Sequence, residues 1–304
     1  MKVTSIVPRG YCKGVVRAIN IAKDSINDYP QPIYILGMIV HNQYVVDGLT
    51  NLGIITLNDT SGTRVKLLDS IDKGTVIITA HGSSQEVKDK ALSKGLKVID
   101  ATCLDVIKTH DLIKDYLNKD YEILYVGKES HPEAVGAISI NKDKIHLIQS
   151  KEDIDKIDKT KKYILTNQTT MSLYDIYPIY EYAKTILDNL ELMDEVCNAT
   201  RTRQKAIDSL DNSIDLVYIV GDPHSNNSMK LASIASKHVK LVKMITSVED
   251  ININDLKDKT NIGISSGAST PTYLTNQVID YLKQLDINNK DTYKKPKVDI
   301  NKII

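Results

Sequence analysis

Phenylalanine and tryptophan are absent from this chain, so Ile, Leu, Val and sixteen Tyr must build its core. An excess of one charge is missing too, because 39 Lys and Arg balance 39 Asp and Glu. That balance argues against a strongly basic nucleic-acid surface and leaves room only for a local patch. Long hydrophobic runs are lacking. The longest, near Ile33–Val40, falls far short of a membrane span, and the opening MKVTSIVPRG holds no apolar core of a targeting segment. Cysteine is scarce: three residues about ninety apart make no disulfide framework, and the natural expectation is a reduced, cytoplasmic setting. With 41% hydrophobic residues in 304, the chain is expected to be an ordinary soluble globular protein of two or three compact units.

The few cysteines are the most informative residues present. Cys12, Cys103 and Cys197 each open the same stretch of sequence, and a glycine follows each after 25, 24 and 24 residues (Gly37, Gly127, Gly221). Those glycines close matching apolar runs, IYILG, ILYVG and VYIVG, and four residues later stand His41, His131 and Ser225. Further on, IDKGTVIITAHGSS, IDKTKKYILTNQTT and LKDKTNIGISSGAS repeat a second theme. The period of 91 to 94 residues is too long for a solenoid and suits a small domain. Three copies packed about a common axis would bring three distant thiols together.

Each repeat reads as four short apolar strands alternating with helices: 2–7, 32–37, 53–57 and 75–79; then 96–100, 122–127, 145–149 and 162–166; then 191–196, 216–221, 239–245 and 261–265. Continuous apolar runs suit strands covered on both faces, and alternation with helices implies parallel sheets. The fold class is therefore α/β, with three small pseudo-threefold-related domains at 14–100, 101–194, and 195–283 together with 1–13. Residues 284–304, polar and Lys-rich, read as a tail docked by its last isoleucines. Ligands of open α/β sheets bind at the carboxyl ends of parallel strands. The repeated polar residues fall there: the cysteines after the first strand, His41, His131 and Ser225 after the second, His81, Thr169 and Ser269 after the last.

One cysteine alone is most simply a buried, inert thiol. Three equivalents, each before a helix whose N-terminus favours a thiolate by roughly 0.3–1 kcal/mol, form a soft trigonal face. That face suits zinc with one open position or a 4Fe–4S cluster with one iron lacking a protein ligand. His41, His81 and His131, with Ser225, Asn227, Thr169 and Ser269, offer donors at helix N-termini, as a phosphate or diphosphate requires. Protonated imidazoles are expected beside such an anion. His110, His146 and His238 lack this placement and read as packing or surface residues. Glu133, two residues after His131, is either a proton donor or a cap for the next helix. The residues alone leave open an enzyme, a metal-stabilised phosphate-binding or redox-sensing protein, and a thiol hydrolase using one Cys–His pair.

The segments PRGYCKGVVRA (8–18), HNQYVVDGL (41–49), TAHGSSQ (79–85), DATC (100–103), SHPEAVG (130–136), NQTT (167–170), CNATRTRQ (197–204), SNNS (225–228) and SGASTP (266–271) run in order along the chain. Together they resemble the LytB/IspH family of 4-hydroxy-3-methylbut-2-enyl diphosphate reductases. The resemblance implies three α/β domains around a central 4Fe–4S cluster held by Cys12, Cys103 and Cys197. It implies a diphosphate lying among His41, His81, His131, Ser225, Asn226, Asn227 and Ser269, with Thr169 near the substrate hydroxyl and Glu133 delivering protons. The implied reaction is a two-electron, two-proton reductive dehydroxylation giving isopentenyl and dimethylallyl diphosphates, with electrons from a ferredoxin or flavodoxin. Leu104, Asp222, His224 and Asn226 depart from the family's usual residues, and Asp222 adds negative charge near the expected anion site.

Overall fold

A computed structural model of the chain describes residues 1–58 and 63–304. It begins with β1 (Lys2–Ser5), α1 (Lys13–Asp28), β2 (Ile33–Leu36), α2 (Gln43–Asn51) and β3 (Ile55–Leu57). Next come α3 (Arg64–Leu67), β4 (Thr75–Ile78), α4 (Gln85–Ser93) and β5 (Lys97–Asp100). The middle carries α5 (Leu104–Asn118), β6 (Glu122–Val126), α6 (Pro132–Ile138), β7 (Ile145–Ile148), α7 (Lys151–Ile154), β8 (Tyr163–Asn167), α8 (Leu173–Lys184) and β9 (Leu190–Leu192). Last are α9 (Asn198–Asp208), β10 (Leu216–Val220), α10 (Asn226–Ala235), β11 (Val242–Ile245), β12 (Asn261–Ser266) and α11 (Thr272–Gln284). All twelve expected strands form, and every ladder between them is parallel.

The described residues fall into two compact units. The first comprises Met1–Val16, Val40–Asn51 and Asn198–Ile304. Its sheet has the order β1-β12-β10-β11, and the central strands β10 and β12 are buried along their whole length. Ile207 from α9 and Leu231 and Ile234 from α10 close one face of that sheet over Val217 and Ile219. Residues 285–304 run back along α11, where Tyr281 Oη donates to the Tyr293 carbonyl at 3.1 Å. Ile303 is only 3% exposed, and its carbonyl accepts the Tyr11 hydroxyl at 3.1 Å. Gly48 in α2 makes room for Ile304: a Cβ there would stand 2.5 Å from the isoleucine Cδ1.

The second unit comprises Arg17–Ile39 and Leu52–Cys197 and holds two sheets, β3-β2-β4-β5 and β7-β6-β8-β9. Again the inner strands β4 and β8 are wholly buried, while the edges β3, β5 and β9 are partly exposed. Leu36, Val76 and Ile78 pack on Leu68 and Ile71 in one core; Leu124, Val126 and Leu165 pack on Ile176 in another. The missing phenylalanine is replaced by tyrosine. Tyr125, Tyr163 and Tyr218 are among the largest fully buried side chains, and Tyr163 sends its hydroxyl to the Asp158 carbonyl at 2.9 Å, satisfying the polar end of a buried ring.

The sheets do not follow the grouping of four strands by repeat. The strand that opens each repeat does not join its own sheet but the edge of the preceding one: β5 pairs β4, β9 pairs β8, and β1 pairs β12. The cause is the short connection through α4 or α8, which returns the chain beside the strand it has just left. Apolar periodicity reports that a strand forms, not which strand it pairs with. Among the described residues no helix is long and apolar enough to cross a membrane.

The seating of the last residues is testable by stability. Ile303→Ala should lower the unfolding free energy by about 2–4 kcal/mol, the usual range for emptying such a site, read from urea melts; an unchanged midpoint would mean that Ile303 is not held.

Candidate active site

Each cysteine is fixed by the same backbone bond. The Cys103 amide donates to the Ala80 carbonyl at 2.9 Å and the Cys197 amide to Thr169 at 3.0 Å, both in the second unit; in the first, the Cys12 amide donates to Ala268 at 3.1 Å. Every acceptor stands two residues beyond the end of a central strand, β4, β8 or β12. Each thiol directly precedes a helix, α5, α9 or α1, and all three are half-buried and outside any disulfide. This bond also fixes the register between repeats. Thr169 is level with Ala80 and Ala268, one residue before its expected match with His81 and Ser269, and Thr170 takes that position.

In the second unit, the turns after β4, β6 and β8 carry His81, His131 and Thr169. The His81 and His131 rings meet edge to face with centroids 5.3 Å apart. His131 is the N-cap of α6: its Nδ1 accepts the Glu133 amide at 3.2 Å. An accepting Nδ1 carries no proton, so this cap opposes the protonation expected of the ring and leaves Nε2–H as its donor. Glu133 is 2% exposed and does not cap α6 with its side chain. Its Oε1 accepts the Thr169 amide at 2.6 Å and its Oε2 accepts the Thr169 hydroxyl at 3.2 Å. Burial disfavours the charged carboxylate and pushes its pKa up to about 7. The two Thr169 hydrogen bonds oppose that rise, and the nearby Asp105 charge adds to it.

Two supports of the His81 turn were not legible as such. Arg64 donates through Nη1 to the Gly82 carbonyl and through Nη2 to Thr79 Oγ1 at 3.0 Å, and burial lowers its pKa to about 10. It lies outside the repeated motifs, and no local spacing marks it. His110 packs behind the same turn: a Cβ on Gly82 or Gly136 would stand 3.7 or 3.4 Å from its Cε1. Gly82, at φ +78, also takes a backbone conformation that favours glycine. Burial pushes the His110 pKa down to about 4, so it packs as a neutral ring. His146 and His238 pair with Glu122 and Asp208 at 2.7 and 3.0 Å.

In the first unit, the turns after β10 and β12 carry Ser225, Asn227 and Ser269. Ser225 caps α10 by accepting the Ser228 amide at 3.4 Å. Ser269 Oγ donates to the main-chain carbonyl of His41 at 3.0 Å and stands 3.4 Å from Ser225 Oγ. Asn227 is 4% exposed, and neither its amide nitrogen nor its amide oxygen has a hydrogen-bond partner among the described residues. A buried carboxamide with both ends unmet is costly unless a ligand or water satisfies it. Asn226 beside it is half-buried. The departing residues have local explanations: Asp222 turns its Oδ1 onto the His224 amide at 2.8 Å, closing its own turn, and Leu104 is 63% exposed at the start of α5. Asn42, which no repeat marks, caps α2 through its main-chain carbonyl and side-chain oxygen, both accepting the Val45 amide.

A sequence profile described as LytB protein matches residues 3–283. The 4-hydroxy-3-methylbut-2-enyl diphosphate reductase of Anoxybacillus flavithermus is 46% identical over 310 residues, covering 100% of this chain and 98% of that protein. Among solved structures, the E-1-hydroxy-2-methyl-but-2-enyl-4-diphosphate reductase of Plasmodium falciparum superposes with a TM-score of 0.87 at 31% identity, over 94% of this chain and 89% of that one. A second structure, of (E)-4-hydroxy-3-methyl-but-2-enyl diphosphate reductase, the terminal enzyme of the non-mevalonate pathway, gives 0.68 at 28% identity, over 94% and 100%.

The raised Glu133 pKa has a sign that stability can read. Between its ordinary value of 4.5 and about 7, the folded chain keeps a proton that the unfolded chain has lost. The stability tied to that proton is complete below pH 4.5 and is lost as pH rises through 7. From pH 5 to 8 the parent should therefore lose, relative to Glu133→Gln, on the order of 2–3 kcal/mol of unfolding free energy. A pH-independent difference between the two proteins would show that Glu133 ionises normally.

Proposed function

The chain belongs to the LytB family, and from that membership we propose that it reduces 4-hydroxy-3-methylbut-2-enyl diphosphate to isopentenyl and dimethylallyl diphosphates by reductive dehydroxylation. The observation that carries the reading is Glu133: a buried carboxyl with its pKa pushed up to about 7, bonded to a buried threonine next to a histidine-capped helix. Losing hydroxide from an allylic carbon needs that oxygen protonated as the C–O bond breaks. A carboxyl that holds its proton near neutrality suits the task, and a positioned general acid contributes about 10²–10⁴-fold. With Oε2 protonated, Glu133 donates to Thr169 Oγ1, which frees the threonine hydroxyl to donate outward. The hand-over is Glu133 to Thr169 to the leaving oxygen. A noncatalytic phosphate binder has no use for a buried acid poised in this way.

A 4Fe–4S cluster is the cofactor that this family implies. The donor set fits it: three soft thiols in repeat-equivalent positions, each tied by its amide to a strand end and none in a disulfide. Cys12, Cys103 and Cys197 would hold the cluster, which when bound would supply the electrons of the reduction. His41, His81, His131, Ser225, Asn226, Asn227 and Ser269 would take the diphosphate, with His131 as an Nε2–H donor and Asn227 gaining the partners it lacks. Electrons would come from a ferredoxin or flavodoxin in the cytoplasm.

Protein purified without oxygen should contain close to four irons per chain, the number in the proposed cluster. Glu133→Gln should keep that iron and the substrate affinity while turnover falls at least about 100-fold. Asn227→Ala should instead raise KM about tenfold with the iron unchanged, as loss of a buried hydrogen-bonding partner predicts. Stoichiometric zinc with no iron from iron-replete cells, or near-parental turnover in Glu133→Gln, would refute the assignment concerned.

A further inference from the structure

One basic residue recurs in the helix after each cysteine: Arg17 lies five residues after Cys12, Lys108 five after Cys103 and Arg203 six after Cys197. Each of the three reaches toward the cysteine of another repeat. Arg17 Nη1 donates to the carbonyl of Thr102, the residue before Cys103, at 2.9 Å. Lys108 Nζ meets both carboxylate oxygens of Glu195, two residues before Cys197, at 3.2 and 3.1 Å. Arg203 Nη2 donates to the carbonyl of Gly10, two residues before Cys12, at 2.6 Å, while its Nη1 holds Ala199 in its own helix at 2.9 Å. The order in sequence is cyclic. The first repeat's cation holds the second repeat's cysteine loop, the second's holds the third's, and the third's holds the first's.

The geometry points to a positioning role for Arg17, Lys108 and Arg203: each fixes the approach to the cysteine of the next repeat and so sets where its sulfur stands. The backbone bond from each cysteine amide fixes the loop on the side of the strand ends. The cation fixes the residues just before it, so the cysteine is pinned from both directions. The three tethers differ in strength. Arg203 is 4% exposed and bonds a carbonyl out of solvent, where a charged hydrogen bond is strong. Arg17 is half-buried, and the Lys108 side chain is 71% exposed, so its ion pair with Glu195 is the weakest. Arginine stands where a neutral carbonyl must be gripped and lysine where a carboxylate supplies the attraction.

That these positions serve a cluster rests on the proposed reductase function, but the tethering can be read from the thiols alone. Full-length iron-free chain would be alkylated with a limiting maleimide, and the rate at each cysteine followed by peptide mass spectrometry. Arg203→Gln should speed labelling of Cys12 by about tenfold, Arg17→Gln that of Cys103 by several-fold, and Lys108→Gln that of Cys197 by about two- to threefold, in line with the strength of the lost bond. In each variant the other two cysteines should react as in the parent, and Arg203→Lys should restore part of the protection. Acceleration at the variant's own cysteine, equal acceleration at all three from general loosening, or no change would each overturn the proposal. In anaerobic holoprotein the same ranking should appear in the rate of iron loss to a chelator. Parental chelation rates alongside the predicted labelling pattern would leave the tethers standing and count against the cluster assignment instead.

Discussion

The rest of the candidate site depends on one backbone hydrogen bond made three times, from a cysteine amide to the carbonyl two residues past a buried central strand. A strand buried along its whole length has no freedom to shift, because a one-residue slip would break its ladder and misplace every side chain. The turn beyond such a strand inherits that rigidity, and the cysteine bonded to it does as well. Function thus sits on loops, but on loops tied to the least movable part of each sheet. The edge strands β5 and β9 lead into the cysteines from the other side, so each thiol follows a strand of the very sheet whose end accepts its amide. The same holds for β1 and Cys12.

Burial of the acid at Glu133 follows from the same architecture. Its carboxyl lies between α6 and the turn after β8, where Thr169 gives its carbonyl to Cys197 and its amide and hydroxyl to Glu133. One residue therefore joins the thiol loop to the buried carboxyl, and neither can be moved without the other. Two hydrogen bonds from Thr169 would by themselves stabilise the carboxylate and depress its pKa. The net direction is upward, because desolvation outweighs them. A more open site with the same hydrogen bonds would give an ordinary carboxylate that is charged at neutrality and unable to donate.

Much of this was legible because the chain repeats itself. Buried parallel strands leave continuous apolar runs, so all twelve strands could be found, and polar residues at their carboxyl ends marked where chemistry belongs. Pairing was not legible. In sequence β5 and β9 look like the opening strands of the next repeat, and only the short connections through α4 and α8 return them to the sheet before. Nor could a single register position be resolved: the expected register set Thr169 against His81, whereas the cysteine bonds set it against Ala80. Arg64 left no trace because its partners are a carbonyl and a hydroxyl 18 and 15 residues further along the chain, which no local spacing encodes. The cap made by His131 escaped for a different reason. A histidine before a proline reads as a ligand-binding residue, and only the placed ring shows that one nitrogen is already occupied.

That occupied nitrogen bears on how an anion would be held. A site built from three imidazolium rings would attract a diphosphate strongly, but its charge would vanish with a modest rise in pH. At His131 the Nδ1 bond to the Glu133 amide occupies the nitrogen that a second ring proton would need, so the capped ring presents Nε2–H as its donor. The amide that holds the ring belongs to Glu133 itself. Protonating His131 would therefore release the start of α6, on which the position of the Glu133 carboxyl depends. A ring that accepts at Nδ1 and a carboxyl whose burial holds its proton up to about pH 7 are thus positioned by the same turn of helix.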